Sequence, residues 1–326
     1  MYQLRWLFDR WRIMQHPYEE IYRVNQQIQY HWRDKKWTKN PPLKHNFRWK
    51  YLLKEYYSRD DISRIVHQSF GNIYVFKLLN TVIDDIVHHT NWNYDAKNKM
   101  VCKSRFVHEI NDFDYSQGEV KYIYELSRLY QLVPLVANYI ANNDIDGIGK
   151  LKCTLKEWYK QNPFLYNVAW KSGNVVGIRA INLIVFKSLL DLVDDDKSFS
   201  VFFNDLIELH YRFLKSHLSL YSSKGNHHVG ELAGLIAITA SFDFEHSKQD
   251  LEACFQELQE EVLRLIHKDG FNKEQATRYQ ASYLNLFMMS FLFCQRTGLI
   301  WKNEVKERIE NAYSFLSDMK VSNGVF

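Results

Sequence analysis

From Glu119 onward apolar residues recur at helical spacing, and the pattern predicts helices over 119–142, 148–161, 173–194, 199–221, 228–241, 248–267, 275–297 and 302–318. Polar or glycine-containing breaks separate them. Alternate members begin about 50 residues apart, the period of a helix-pair repeat that stacks into a solenoid or closes into a toroid. The members beginning near 173, 228 and 275 are apolar on all sides, as in LIVFKSLL, LAGLIAITA and LNLFMMSFLF. Their partners, such as QDLEACFQELQEEVLRLIHK, keep charges along one side. That asymmetry predicts an inner layer of buried helices and an outer layer facing water. The expected class is all-α, an incomplete α/α toroid of helical hairpins, with the polar starts of the inner helices converging on one end of a central cavity.

Upstream the pattern weakens. Residues 1 to about 30 read as an amphipathic helix with Leu4, Leu7, Phe8, Trp11 and Met14 on one side, and 32–49, with Pro41 and Pro42, as an irregular connector. The stretch 51–114 is mixed, with alternation around Ile73 to Phe76 that permits a short strand. The chain therefore divides into an N-terminal helical and irregular region, 1–114, and a helical repeat domain, 115–326.

Composition agrees with a helical reading, since the 326 residues include only twelve glycines and five prolines. A net charge of +4, with both signs interspersed, is too mild for nucleic acid and compatible with an acidic ligand. Cys102, Cys153, Cys254 and Cys294 are widely spaced without a CxxC pair and read as reduced structural thiols. The first residues, MYQLRWLFDRWRIM, carry charges that leave no signal-peptide core, so the sequence as written reads as cytoplasmic. No run approaches the roughly 20 apolar residues of a membrane span.

Candidate chemistry gathers at three inner-helix starts. The first supplies Asn162, Trp170 and Arg179; the second Asn226, His227, His228 and Glu231; the third Glu274, Gln275, Arg278 and Tyr279. Lys224, Gly225 and Asn226 read as a turn, which sets Asn226 and His227 at a helix N-terminus, where unpaired N–H groups and the positive dipole end favour an anion. Structural readings stand beside these. Asn162 with Pro163 ends a helix, Trp170 fits a core, Glu274 with Arg278 makes an i, i+4 pair, and His228 with Glu231 makes a local hydrogen bond. Arg179, inside VVGIRAINLIVF, needs an acidic partner or an acidic ligand. The order HHxxE lacks the histidine pair of HExxH, so neither a metal nor another cofactor is expected.

In order and spacing, YIYELSRLYQL, LKEWYKQNP, WKSGNVVGIRAIN, GNHHVGELAGL and DGFNKEQATRYQ resemble the helical domain of the heparinase II/III family of polysaccharide lyases, over roughly residues 115 to 320. The resemblance implies an α/α toroid followed by a β-sandwich domain, and β-elimination on a uronic-acid-containing acidic polysaccharide. It assigns Asn226 and His227 to neutralising the uronate carboxylate and Tyr279 to proton transfer. Arg179, Trp170, His228, Glu231 and Gln275 are then expected to line the substrate. Val175 stands where the family usually has a glutamate, and Gln280 where it has a histidine after the tyrosine. The ending SDMKVSNGVF falls near the point where the family's β-sandwich begins, so that domain is expected to be missing or separate. Two competitors follow: a non-catalytic acidic-glycan-binding or capsule-associated protein, and a hydrolase using Glu125 and Glu231 as paired carboxylates.

Overall fold

The computed structural model describes residues 91–111, 116, 118–220, 224–295 and 297–319, with Ser58, Asp60–Ile62, Arg64 and short strands at 48–49, 76–78 and 81–83. Antiparallel ribbons join β1 (Arg48–Trp49) to β6 (Phe242–Asp243), β2 (Phe76–Leu78) to β3 (Thr81–Ile83), and β4 (Tyr94–Asp95) to β5 (Met100–Val101). Phe76, the end of the expected strand, starts β2; the rest of that expectation, the helix over 1–30 and most of the 32–49 connector lie outside the described residues. Elsewhere the described chain is mainly helical. Its helices are α1 (Val120–Ser127), α2 (Leu132–Ala141), α3 (Ile145–Gln161), α4 (Gly173–Leu190), α5 (Lys197–Ser216), α6 (Asn226–Ser241), α7 (Ser247–Leu265), α8 (Thr277–Cys294) and α9 (Asn303–Asp318).

Inner and outer positions follow the hydrophobic pattern. Helix α4 packs on α2 and α6, and α6 on α8, which makes α2, α4, α6 and α8 consecutive inner helices; α3, α5, α7 and α9 back them as hairpin partners. All but two of the eighteen residues of α4 are buried. By contrast α7 hides Leu251, Cys254, Phe255, Leu258 and Val262 and turns its charged side to water. Helix α4 is also apolar enough to cross a membrane by composition, with a mean hydropathy of 1.4, and is instead the central core helix of this body.

Two outer helices carry their own caps. Asp144 accepts the Gly147 N–H at 2.8 Å and Asp196 the Phe199 N–H at 3.0 Å, each meeting a donor that the first turn cannot satisfy internally. The inner pair α4 and α6 approaches closely through glycine. A Cβ on Gly177 would lie 2.2 Å from the Gly230 carbonyl oxygen, and one on Gly234 would lie 2.4 Å from the Gly177 Cα.

One expected helix is two. The span 119–142 breaks after α1 at Leu129, a buried leucine in the left-handed region with φ 57°. Pro134 then sits in the first turn of α2, where its missing N–H costs no helical hydrogen bond. The break turns the chain from α1 into the inner layer and leaves Tyr130 in the wall of the cavity described below. Upstream segments are sewn into the same body: Trp92 is fully buried and donates its N–H to Gln161 at 3.0 Å, and Asn167 accepts the Arg105 N–H at 3.1 Å.

Candidate functional site

Helix α6 begins as the turn Lys224–Gly225 leads one to expect, with Asn226 as its first residue and Gly225 at the cap position. Glycine brings no capping side chain, so the first N–H groups of α6 must find partners elsewhere. The Asn226 N–H donates to the Glu274 carboxylate at 3.3 Å, and the Asn226 carbonyl accepts the Asn174 side-chain N–H at 2.9 Å. An anion therefore does occupy this helix N-terminus, and it is one of the protein's own. The backbone of Asn226 is fixed from two sides. Its half-buried side-chain amide takes no hydrogen bond among the described residues, which leaves both of its polar atoms for a ligand. His227 next to it is exposed.

Tyr279 stands in the first turn of α8, 41 % exposed, beside exposed Arg278. Helix α8 packs on α6, and Glu274, which holds Asn226, also accepts the hydroxyl of Tyr283, one turn beyond Tyr279. The amide at 226 and the phenol at 279 thus start adjoining inner helices that one carboxylate ties together. Gln275 is exposed in the connecting loop, with φ 56°. Gln280, where a histidine was expected from the resemblance, is fully buried. Its side chain takes the Asn272 N–H at 2.9 Å and donates to the Gly270 and Ala312 carbonyls at 2.7 and 3.1 Å, fastening the loop that carries Glu274.

Four residues expected to line the substrate are interior instead. Trp170 is fully buried, donates its indole N–H to the Asn162 carbonyl at 2.9 Å and packs against Phe164, His210 and Phe213. Arg179 has no acidic partner among the described residues. It donates to His210 Nε2 at 2.8 Å and to the carbonyls of Ala169 and Ser127 at 2.8 and 3.2 Å, while its guanidinium lies 4.6 and 4.8 Å from the ring centres of Trp158 and Trp170. Burial lowers its pKa to about 9, which still leaves it charged at neutral pH.

His228 and Glu231 are the other two, both without exposure. His228 meets Glu257 at 2.9 Å, and Glu231 accepts the Ser219 N–H and hydroxyl at 2.6 and 2.7 Å, pinning the chain that leads into the 226 turn. Burial opposes charge on His228, but the hydrogen bond to Glu257 and the Glu231 carboxylate 3.6 Å from Nδ1 outweigh it and raise the pKa. A buried Glu231, with Glu125 bound to Arg128 at 2.6 Å, does not make the open carboxylate pair that a hydrolase requires.

Sequence reasoning passed over Arg128, Asn174 and Tyr130. Arg128 donates to the Asn174 side-chain oxygen Oδ1 at 3.3 Å, and the Asn174 side-chain N–H in turn holds the Asn226 carbonyl. Tyr130 and the aliphatic side chains of Val133, Ile178, Val185, Leu286 and Met289 line a cavity of about 340 Å3 between α2, α4 and α8. Burial raises the pKa of the Tyr130 phenol against the pull of Arg128 and Arg278. The segment ELSRLY carried a signal, an arginine inside an apolar run, but the unmarked break at Leu129 hid its placement. Among the described residues no cluster of histidine, cysteine and carboxylate side chains is arranged to hold a metal ion.

The family described as the Heparinase II/III N-terminus matches residues 25–324. Among solved structures, Heparinase III is 18 % identical, with a TM-score of 0.55 over 94 % of this chain and 44 % of its own. A mutant of the heparan sulfate lyase HepC from Pedobacter heparinus is 15 % identical, with a TM-score of 0.51 over 93 % of this chain and 44 % of its own. At such identities the likeness is one of fold. The chain spans less than half the length of either. A comparison with curated proteins returns no match.

Proposed function

Because the chain belongs to the family of the Heparinase II/III N-terminus, we propose that it forms the helical part of a polysaccharide lyase that cleaves a uronic-acid-containing acidic polysaccharide by β-elimination. The observation that supports the reading is that half-buried Asn226 and exposed Tyr279 stand at the starts of adjoining inner helices, which Glu274 ties together through the Asn226 backbone and the Tyr283 hydroxyl. The heparan sulfate lyase with a related fold supports the substrate class.

In the reaction a proton leaves the carbon beside the uronate carboxylate, the bond to the 4-linked oxygen breaks, and a double bond forms between the two ring carbons. Negative charge grows on the carboxylate as the proton departs. The Asn226 amide, with His227 beside it, donates hydrogen bonds there and stabilises that charge more in the transition state than in the substrate. Tyr279, as its phenolate, takes the proton from the ring carbon and then, as the phenol, delivers it to the departing oxygen, so the proton passes from carbon to leaving group through one side chain. Gln275 and Arg278, exposed next to Tyr279, face the sugars on either side. Trp170, Arg179, His228 and Glu231 serve beneath the surface, holding the helices that present these groups.

Incubation with uronic-acid polysaccharides is expected to yield products with a new ultraviolet-absorbing double bond. Asn226→Ala should lower the rate by about 100- to 1,000-fold, the usual loss for one donor to a developing oxyanion, and Tyr279→Phe should abolish it. Reducing ends without a double bond would replace elimination with hydrolysis. Saturable binding of the glycan by calorimetry without any product would leave a glycan-binding protein in place of an enzyme.

A further inference from the structure

Glu274 has no part in the chemistry just described, yet it binds the backbone of Asn226 and, through Tyr283, the helix that carries Tyr279. Helix α6 lacks a cap of its own, and the carboxylate that serves as one comes from 48 positions further along the chain. The same oxygen, Oε1, accepts the Asn226 N–H and the Tyr283 hydroxyl. Tyr283 is 1 % exposed and stacks on Phe287 at 5.9 Å between ring centres, so it moves only with the body of α8. The loop bearing Glu274 is itself fastened by Gln280 to the Gly270 and Ala312 carbonyls. Arg264, bound to Glu261 at 3.0 and 3.1 Å, faces both Glu274 and Tyr283 from the end of α7. Two helices, α6 and α8, therefore meet at one carboxylate.

We propose that Glu274 is a positioning residue, which fixes the start of α6 against α8 and so sets the separation of the Asn226 amide from the Tyr279 phenol. The proposal rests on the lyase reading for its effect on turnover and on geometry alone for its effect on α6. Among the described residues, the other side-chain hydrogen bond to the Asn226 backbone, from Asn174, comes from α4 and says nothing about where α8 lies. Without Glu274, the first turn of α6 would have no tie to α8 at the height of the site. A displacement on the order of 1 Å in a reacting group costs about 100-fold in rate. Glutamine at 274 keeps an oxygen that both donors can use, whereas alanine removes it.

The experiment compares Glu274→Gln, Glu274→Ala and Tyr283→Phe, each first checked for an unchanged circular dichroism spectrum. Glu274→Ala is expected to lower kcat by about 100-fold with KM changed less than about threefold. Glu274→Gln should restore most of kcat, and Tyr283→Phe should fall between. Hydrogen exchange read by mass spectrometry on the segment 224–232 supplies a readout that needs no turnover. It should rise about tenfold in Glu274→Ala, as expected for loss of a cap, stay near the wild type in Glu274→Gln, and leave α4 unchanged. A folded Glu274→Ala with wild-type kcat or wild-type exchange at 224–232 overturns the proposal, as does an equal loss in the glutamine and alanine variants. If the wild type makes no unsaturated product on any uronic-acid polysaccharide, the lyase reading falls alone and the exchange comparison decides the role of Glu274.

Discussion

Arg179 and His210 fix one another's protonation in the interior. Burial, and then the neighbouring guanidinium, hold His210 well below the ordinary histidine value, so it stays neutral and accepts the Arg179 Nε–H at Nε2. Its proton then sits on Nδ1, which donates to the Leu206 carbonyl at 2.7 Å. His228 behaves in the opposite way, because its neighbours are carboxylates and its pKa is raised. A histidine that binds its proton more tightly folded than unfolded contributes stability in full below the unfolded value of about 6.5, and loses it as pH rises through the folded value. His228→Gln should therefore cost most at pH 5.5 and progressively less toward pH 8, read as the difference in urea midpoint from the wild type. A difference that grows with pH would contradict the charged pair. Such distinctions were only half legible in the sequence. A guanidinium amid VVGIRAINLIVF demanded compensation, but nothing local told carboxylates from two indole faces, two carbonyls and an imidazole. Asn226 and Tyr279 were easier to find, since each follows a turn that opens a strongly apolar helix.

The inner helices owe their close contact to residues that carry no chemistry. Gly177 meets Gly230 and Gly234 where α4 crosses α6, and both obstacles to a new methyl group are backbone atoms that cannot rotate away. Gly177→Ala should destabilise the fold by about 3 kcal/mol or more, since the helices must part to admit it. Gly149, within α3, has nothing within 4 Å of an added Cβ, and alanine there should be neutral or stabilising by up to about 1 kcal/mol. Thermal melts of the two variants check the contrast; equal losses would mean that the α4–α6 approach is not what limits the site. Apolar composition picked out α4 and α6 as helices buried on nearly every side, whereas α8, read as equally buried, leaves Met288, Phe291 and Leu292 exposed. The pattern did not register these glycines, which lie inside the expected helices 173–194 and 228–241, nor the turn at Leu129, which carries no glycine and is marked only by Pro134 downstream.

Across the whole molecule the burial is uneven in a way that orders its stability. Helices α4 and α6 each leave only two residues less than buried, out of eighteen and sixteen, whereas α9 buries Val305, Arg308 and Ala312 alone among its sixteen. Each inner helix packs mainly on its neighbours in the series, so stability is shared between adjacent units as in a repeat protein and need not be uniform from end to end. The ties that hold α9 among the described residues include Arg308 donating to the Ile266 and Leu263 carbonyls at 2.6 and 3.4 Å, Gln280 to the Ala312 carbonyl at 3.1 Å, Asn311 to the Lys268 carbonyl at 3.0 Å, and Phe315 stacked on Phe271 at 4.6 Å between ring centres. Asn311, Gln280 and Phe315 take part in fastening the loop that carries Glu274, so opening α9 loosens the start of α8 before it touches the start of α6. Native-state hydrogen exchange in increasing urea should show α9 opening first, the 267–276 loop and the start of α8 following, and α4 and α6 exchanging only by global unfolding. Activity on a uronic-acid polysaccharide should fall with the second of these steps, at urea concentrations where α6 is still protected. Loss of activity only at the global transition, with α9 protected as long as α6, would mean that the outer helix is bound more strongly than its three buried side chains allow, and that Tyr279 is held from elsewhere.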